Sequence, residues 1–170
     1  MRTIFDFIFI IHTWTKKGND MITNDLIVTD TREQLLLWNN TARYKLDFGD
    51  YSIVGHESLF SIERKSLPDL LQTLTSGHKR FKQELQRASV ARYFAIVVDG
   101  SYTKMRTKDY PNAWRSRIKG KQVTDIANAL RVKYGIQVIF TTGRVESKRV
   151  IKDLMDAYLR AVEAGHYEKA

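Results

Sequence analysis

Hydrophobic positions along the chain switch between two spacings. Leu26-Ile27-Val28, Tyr51-Ser52-Ile53-Val54 and Phe60-Ser61-Ile62 are short, β-rich runs, and Tyr93-Phe94-Ala95-Ile96-Val97-Val98 is a continuous apolar run of the length of a buried strand. Between and after them the spacing becomes helical. Leu67, Leu70, Leu71 and Leu74 fall on one side of a helix opened by Ser66-Leu67-Pro68-Asp69, where Ser66 caps and Asp69 returns the bond. Gly77 breaks that segment, and Phe81, Leu85 and Ala88 continue as a second stripe. A helix from about Val123 to Tyr134, a strand Ile136 to Phe140 and a final helix after Gly143 complete the series. Strands alternating with helices predict an α/β sandwich. The last helix carries Val150, Ile151, Leu154, Met155, Tyr158, Leu159 and Val162. That stripe reads mainly as core, with a homodimer interface as the sharper alternative.

The first twenty residues differ from the rest. Ile4 to Ile11 is apolar but short and holds Asp6, so it neither spans a membrane as a helix nor reads as a secretory signal. Residues 1–20 are expected to be an extension, either an added strand or a mis-assigned start, ahead of a single domain over 21–170.

Composition narrows the chemistry. With no cysteine, disulfides, zinc-thiolate sites and cysteine nucleophiles are excluded, and an intracellular setting is expected. The net charge of +9 points to a polyanion, and without residues 1–20 the balance is still +8. One stretch concentrates it: between Ser101 and Lys121 stand Lys104, Arg106, Lys108, Arg115, Arg117, Lys119 and Lys121, with Tyr102, Tyr110 and Trp114 interleaved and Asp109 the single acid. Cations neutralise phosphates and an aromatic face stacks on an unpaired base, so this stretch is expected to contact DNA, Trp114 included.

The most specific pattern is a pair of strands bearing acids. Side chains alternate along a strand, so Glu63 and Lys65 share a face while Ile62 and Arg64 point the other way. A hairpin through Gly55-His56-Glu57-Ser58 would bring Asp50, in Gly49-Asp50-Tyr51, beside the Glu63 end. Two carboxylates and an ammonium in one cleft are the components of metal-assisted phosphodiester cleavage. Carboxylates about 4 Å apart repel by roughly 4 kcal/mol at an effective dielectric near 20, so such a pair favours a cation or a proton. Lys65, between carboxylates, is expected to stay protonated and to orient the attacking water. His56 and His78 have no second ligand at a suitable spacing and receive no role.

Asp30-Thr31-Arg32-Glu33, Gly49-Asp50-Tyr51 and Glu63-Arg64-Lys65 with Asp69 four residues on resemble the XPF-type structure-specific nuclease family. Similar segments recur at Arg80 to Leu85, at Val97-Val98-Asp99-Gly100 and at Tyr134 to Phe140, so the resemblance covers roughly Leu26 to Val162. It implies a restriction-endonuclease-like PD-(D/E)XK fold, a central mixed sheet flanked by helices. It also implies a magnesium- or manganese-dependent DNA endonuclease that cuts at junctions or flaps, in repair or recombination. Dimerisation does not carry over from larger relatives with further modules, so a homodimer through the last helix and a partner subunit stay open beside action alone. Carried over by position, Asp50 and Glu63 would hold the metal, with the Arg64 carbonyl a further ligand and Asp30 near the ion. Arg32 and Glu33 would support the site or serve as structural ion-pair partners, and Asp69 would serve chiefly as a helix cap. A catalytically silent DNA-binding subunit and an RNA-directed nuclease are the alternatives. Intact Asp50, Glu63 and Lys65 favour the active form over the first, and for the second no dedicated RNA-recognition motif is present.

Overall fold

In a computed structural model, residues 21–74, 76–110, 113 and 118–167 are described. The extension 1–20 and three of the basic-stretch residues, Trp114, Arg115 and Arg117, lie outside them. Among the described residues six strands are present: β1 (Ile27–Asp30), β2 (Ala42–Tyr44), β3 (Tyr51–Ile53), β4 (Phe60–Ser66), β5 (Tyr93–Asp99) and β6 (Gln137–Phe140). They form one sheet in the order β2-β1-β3-β4-β5-β6. The pairings β1–β3 and β3–β4 are antiparallel, while β1–β2, β4–β5 and β5–β6 are parallel, so the sheet is mixed. Among the described residues five α-helices cover it: α1 (Leu67–Leu74), α2 (His78–Ala88), α3 (Tyr102–Thr107), α4 (Gly120–Tyr134) and α5 (Arg144–Glu163).

Strand alternation divides the core between the two faces. Ile96, Val98 and Val138 meet Leu67, Leu70 and Leu71 of α1, Phe81 and Ala88 of α2, and Val123, Ala127 and Leu130 of α4. Phe60, Ile62, Ala95 and Val97 meet Ile151, Met155 and Tyr158 of α5 on the other face. Val150, Leu154, Leu159 and Val162 pack half-buried against that same cluster, so the stripe of the last helix contributes to the core along its length. Burial on both faces explains why β5 reads as an unbroken apolar run. The helix opening at Ser66 forms as expected: the Asp69 N–H donates to Ser66 Oγ at 3.2 Å, and the Ser66 hydroxyl donates to the Asp69 carboxylate at 2.6 Å.

Two elements depart from the sequence expectation. β2 was not foreseen, because Ala42-Arg43-Tyr44 is three residues long and mostly exposed, so it carries no hydrophobic alternation. The helix expected from Val123 begins at Gly120, whose missing side chain lets it approach the Met105 and Arg106 carbonyls; a Cβ there would lie 2.2 Å from the first. No helix of the described residues is long and apolar enough to cross a membrane.

Candidate active site

The β3–β4 hairpin sets the site. Tyr51 is in register with Ile62, which places Asp50 beside Glu63. Asp50 is fixed through its backbone on both sides, its N–H donating to the Ile62 carbonyl at 2.8 Å and its carbonyl accepting from Asp30 N–H at 2.8 Å. Its side chain reaches over β4 and accepts the Arg64 N–H at Oδ2, 2.8 Å away. The preceding residue has to be glycine. Gly49 lies in the left-handed region at φ +74°, and a Cβ on it would sit 2.1 Å from Ser61 Oγ and 3.1 Å from the Ile62 carbonyl oxygen.

Asp50, Glu63 and Lys65 line one cavity of about 530 Å³, together with Arg32, Glu33, Asp69, Arg80 and Glu84. A larger cavity of about 750 Å³ lies between α2 and α4. Its lining is mainly apolar and contains no carboxylate, so it lacks the groups for hydrolysis.

Glu63 is buried, and the Lys65 ammonium donates to its Oε1. Burial raises the pKa of Asp50 to about 7, with Glu33 and Glu84 adding to the rise and the Arg64 N–H and Lys65 opposing it. Burial, and then repulsion from Asp50, push Glu63 well above the usual carboxylate range. Lys65 goes the opposite way to a general base. Burial pulls its pKa down, but Glu63, Glu84 and Asp50 outweigh it and hold the ammonium above its ordinary value. The ammonium also stands 5.9 Å from the centre of the Phe81 ring, so α2 closes the apolar side of the site.

Asp30 is occupied differently. Its carboxylate accepts Arg32 N–H and Nε at 2.7 Å each on Oδ1, and Arg32 Nη2 at 2.9 Å and Leu46 N–H at 2.6 Å on Oδ2. Burial raises its pKa, but these donors outweigh that and hold it below the ordinary value. Arg32 also donates to the Leu46 carbonyl at 2.8 Å, so Asp30 and Arg32 together fasten the end of β1 to the returning chain. Glu33 Oε1 accepts Leu35 N–H at 2.6 Å and shapes the turn that follows. Asp69 combines its capping bonds with a place on the cavity wall. Arg64 points to the opposite face, where it pairs with Asp99 at the end of β5 and donates to the Leu35 carbonyl at 3.3 Å.

The basic residues stand apart from this group. Lys104 and Arg106 are exposed on α3, Lys108 follows that helix, and Lys119 and Lys121 begin α4. None of these five lines the cavity that holds Asp50 and Glu63, and Lys121 pairs with Asp125 at 2.7 Å. Lys104, Arg106 and Lys108 follow β5 in the chain through α3, and Lys119 and Lys121 stand at the start of α4.

Glu84 and Arg80 line the cavity and Asp99 pairs with Arg64, and sequence reasoning left all three without a role. Glu84 and Arg80 could have been found from α2, since they fall one turn apart on the side of Phe81. Asp99 could not, because its partner depends on the parallel register of β4 and β5.

Among the described residues, no three acidic or imidazole groups gather into a cation cage. The buried Glu63 carboxylate and the half-buried Asp50 carboxylate, which repel each other, are nevertheless a fitting donor set for magnesium or manganese. Such an ion is held by one or two carboxylates and completes its shell with water and substrate phosphate.

In comparisons with known proteins, a family profile described as the ERCC4 domain matches residues 29–154. No curated protein matches the chain. Among solved structures, XPF from Aeropyrum pernix aligns with a TM-score of 0.60 and 22% identity over 78% of this chain and 60% of that one. XPF from Aeropyrum pernix in complex with DNA aligns with a TM-score of 0.59 and 23% identity, over 79% and 64%. The chain therefore spans somewhat under two thirds of the length of these structures. At this identity the likeness is one of fold, and that fold is the restriction-endonuclease-like one.

Proposed function

The chain belongs to the ERCC4 domain family, and from that premise we propose that its cleft hydrolyses phosphodiester bonds in DNA, with magnesium or manganese, at branched or flap structures in repair or recombination. The observation that carries this reading is the meeting of Asp50, Glu63 and Lys65 on the wall of one polar cavity. The net charge of +9 and the cations of α3 and the start of α4 support a polyanionic substrate.

Asp50 and Glu63 would hold the cation, with the Arg64 carbonyl a further oxygen donor. Bound there, it would acidify a water molecule and draw charge from the phosphoryl oxygens. Lys65 is held positive by Glu63 and therefore suits donation to the attacking water or to a phosphoryl oxygen, not removal of a proton. The Arg64 N–H steers the Asp50 carboxylate toward β4 and Glu63. Asp30, committed to Arg32 and Leu46, serves as a brace for the end of β1, and Arg32 and Arg80 on the cavity wall are placed for phosphate contact. Lys104, Arg106, Lys108, Lys119 and Lys121 would carry the flanking duplex.

The test is cleavage of labelled duplex, flap, fork and single-stranded DNA, and of a matched RNA flap, with magnesium, manganese or EDTA, beside Glu63→Ala. Metal-dependent cutting that disappears in the variant is the expected result. Binding of branched DNA without cutting by either protein would instead make this a silent or partner-dependent subunit, and faster cutting of the RNA flap would reassign the substrate.

A further inference from the structure

The catalytic cavity is polar, with one exception at its lip. Of its described lining residues only Leu35 and Phe81 are apolar, and while Phe81 is 5% exposed, Leu35 is 61% exposed. A lone exposed leucine is ordinary on a protein surface. What sets Leu35 apart is how firmly its backbone is held. The Leu35 N–H donates to Glu33 Oε1 at 2.6 Å, and its carbonyl accepts from Arg64 at 3.3 Å. Arg144 of α5 donates to the Leu36 carbonyl, and Leu37 N–H donates to the Tyr51 hydroxyl at 3.2 Å. Leu37 and Trp38 are buried, with the Trp38 ring edge-on to Tyr51 at 5.4 Å between centroids. The chain on both sides of position 35 is thus tied down, and the leucine side chain faces water at the mouth of the cleft.

We infer that Leu35 is a specificity-determining residue: it packs on the exposed face of an unstacked base where a DNA duplex is interrupted. The inference rests on reading the cleft as that of a DNA nuclease. A continuous duplex presents phosphates and sugars outward and keeps its base faces covered by stacking. An apolar base face becomes available at a flap, fork or nick, and leucine is among the side chains that proteins insert there. Arg32 and Arg80 stand on the same cavity wall for the flanking phosphates. The Arg64 guanidinium holds the Leu35 carbonyl while the Arg64 N–H holds Asp50, so the contact point keeps a fixed offset from the catalytic carboxylates.

Leu35→Ala tests this, since an exposed side chain can be removed without opening the core. Two readouts are needed. The first is the ratio of kcat/KM on a flap to kcat/KM on continuous duplex, expected to fall about tenfold, the scale of one lost base contact. The second is the fluorescence of 2-aminopurine at the branch nucleotide, bound to Glu63→Gln with and without Leu35→Ala. The signal should rise with Leu35 present, and that rise should be lost with alanine. An unchanged ratio, including equal losses on both substrates, overturns the inference, as does a fluorescence rise that persists in the double variant. Should wild-type protein cut no DNA at all, the nuclease reading fails, and the fluorescence arm still decides whether Leu35 meets an unstacked base.

Discussion

Asp50→Asn should make the metal-free protein more stable at pH 8. In the folded chain burial lifts the Asp50 carboxyl from 3.8 to about 7. A carboxyl with a raised folded pKa binds its proton more tightly folded than unfolded. Its contribution to stability is therefore fully present below about pH 4 and is lost as pH rises toward 7. At about 1.4 kcal/mol per pH unit the whole displacement amounts to about 4 kcal/mol. That is the upper limit of what asparagine recovers, because its amide oxygen still accepts the Arg64 N–H now received by Asp50 Oδ2. For a domain of this size the gain corresponds to a rise in Tm on the order of 10 °C. The assay is thermal or urea unfolding of both proteins at pH 5 and pH 8 in EDTA, repeated with manganese. The advantage of the variant should be large at pH 8, small at pH 5 and reduced by manganese, which stabilises only the carboxylate form. If wild type matched or exceeded Asp50→Asn at pH 8 in EDTA, the account of a site strained by its own charges would be wrong.

Lys65→Met should retain DNA binding and lose about 10²- to 10³-fold in single-turnover cleavage, the scale for removing one donor to a developing negative charge; a wild-type rate would remove Lys65 from the chemistry. Replacing Lys104, Arg106 and Lys119 with alanine should lower the slope of log affinity against log salt by about one for each lost phosphate contact, with an unchanged slope counting against contact. A protein beginning at Met21 should fold and cut like the full chain. Its backbone nitrogen already lies 2.8 Å from Asp156 Oδ1, so a terminal ammonium there would meet a buried carboxylate. Insolubility of that protein, or a marked fall in Tm, would show that residues 1–20 belong to the fold.

The parts of the fold legible in the sequence are those set by short-range geometry. Alternation along β4 puts Glu63 and Lys65 on one face, the short hairpin brings Asp50 to them, and Ser66 with Asp69 starts α1. What stayed hidden depends on distant packing. The Leu46 N–H that shares Asp30 with Arg32 comes from the return of the chain after β2, a strand with no periodic signal. The choice of Asp99 as partner for Arg64 requires the β4–β5 register, and periodicity within one strand cannot give the offset between two. Glu84 reaches the site only because α2 crosses the sheet with its Phe81 side inward.

Gly49 has a consequence for how variation in this chain is interpreted. Its left-handed backbone, and Ser61 Oγ only 2.1 Å from where a Cβ would sit, oppose even a methyl group there. A mutational scan scored by activity will therefore mark position 49 as strongly as position 50, though glycine has no group to offer a substrate. The two positions separate when abundance is scored as well. Substitutions at 49 should empty the cell of folded protein, whereas Asp50→Asn should leave more of it and all of it inert. Of two adjacent residues equally intolerant of change, one would be required by the backbone and the other by the proposed reaction.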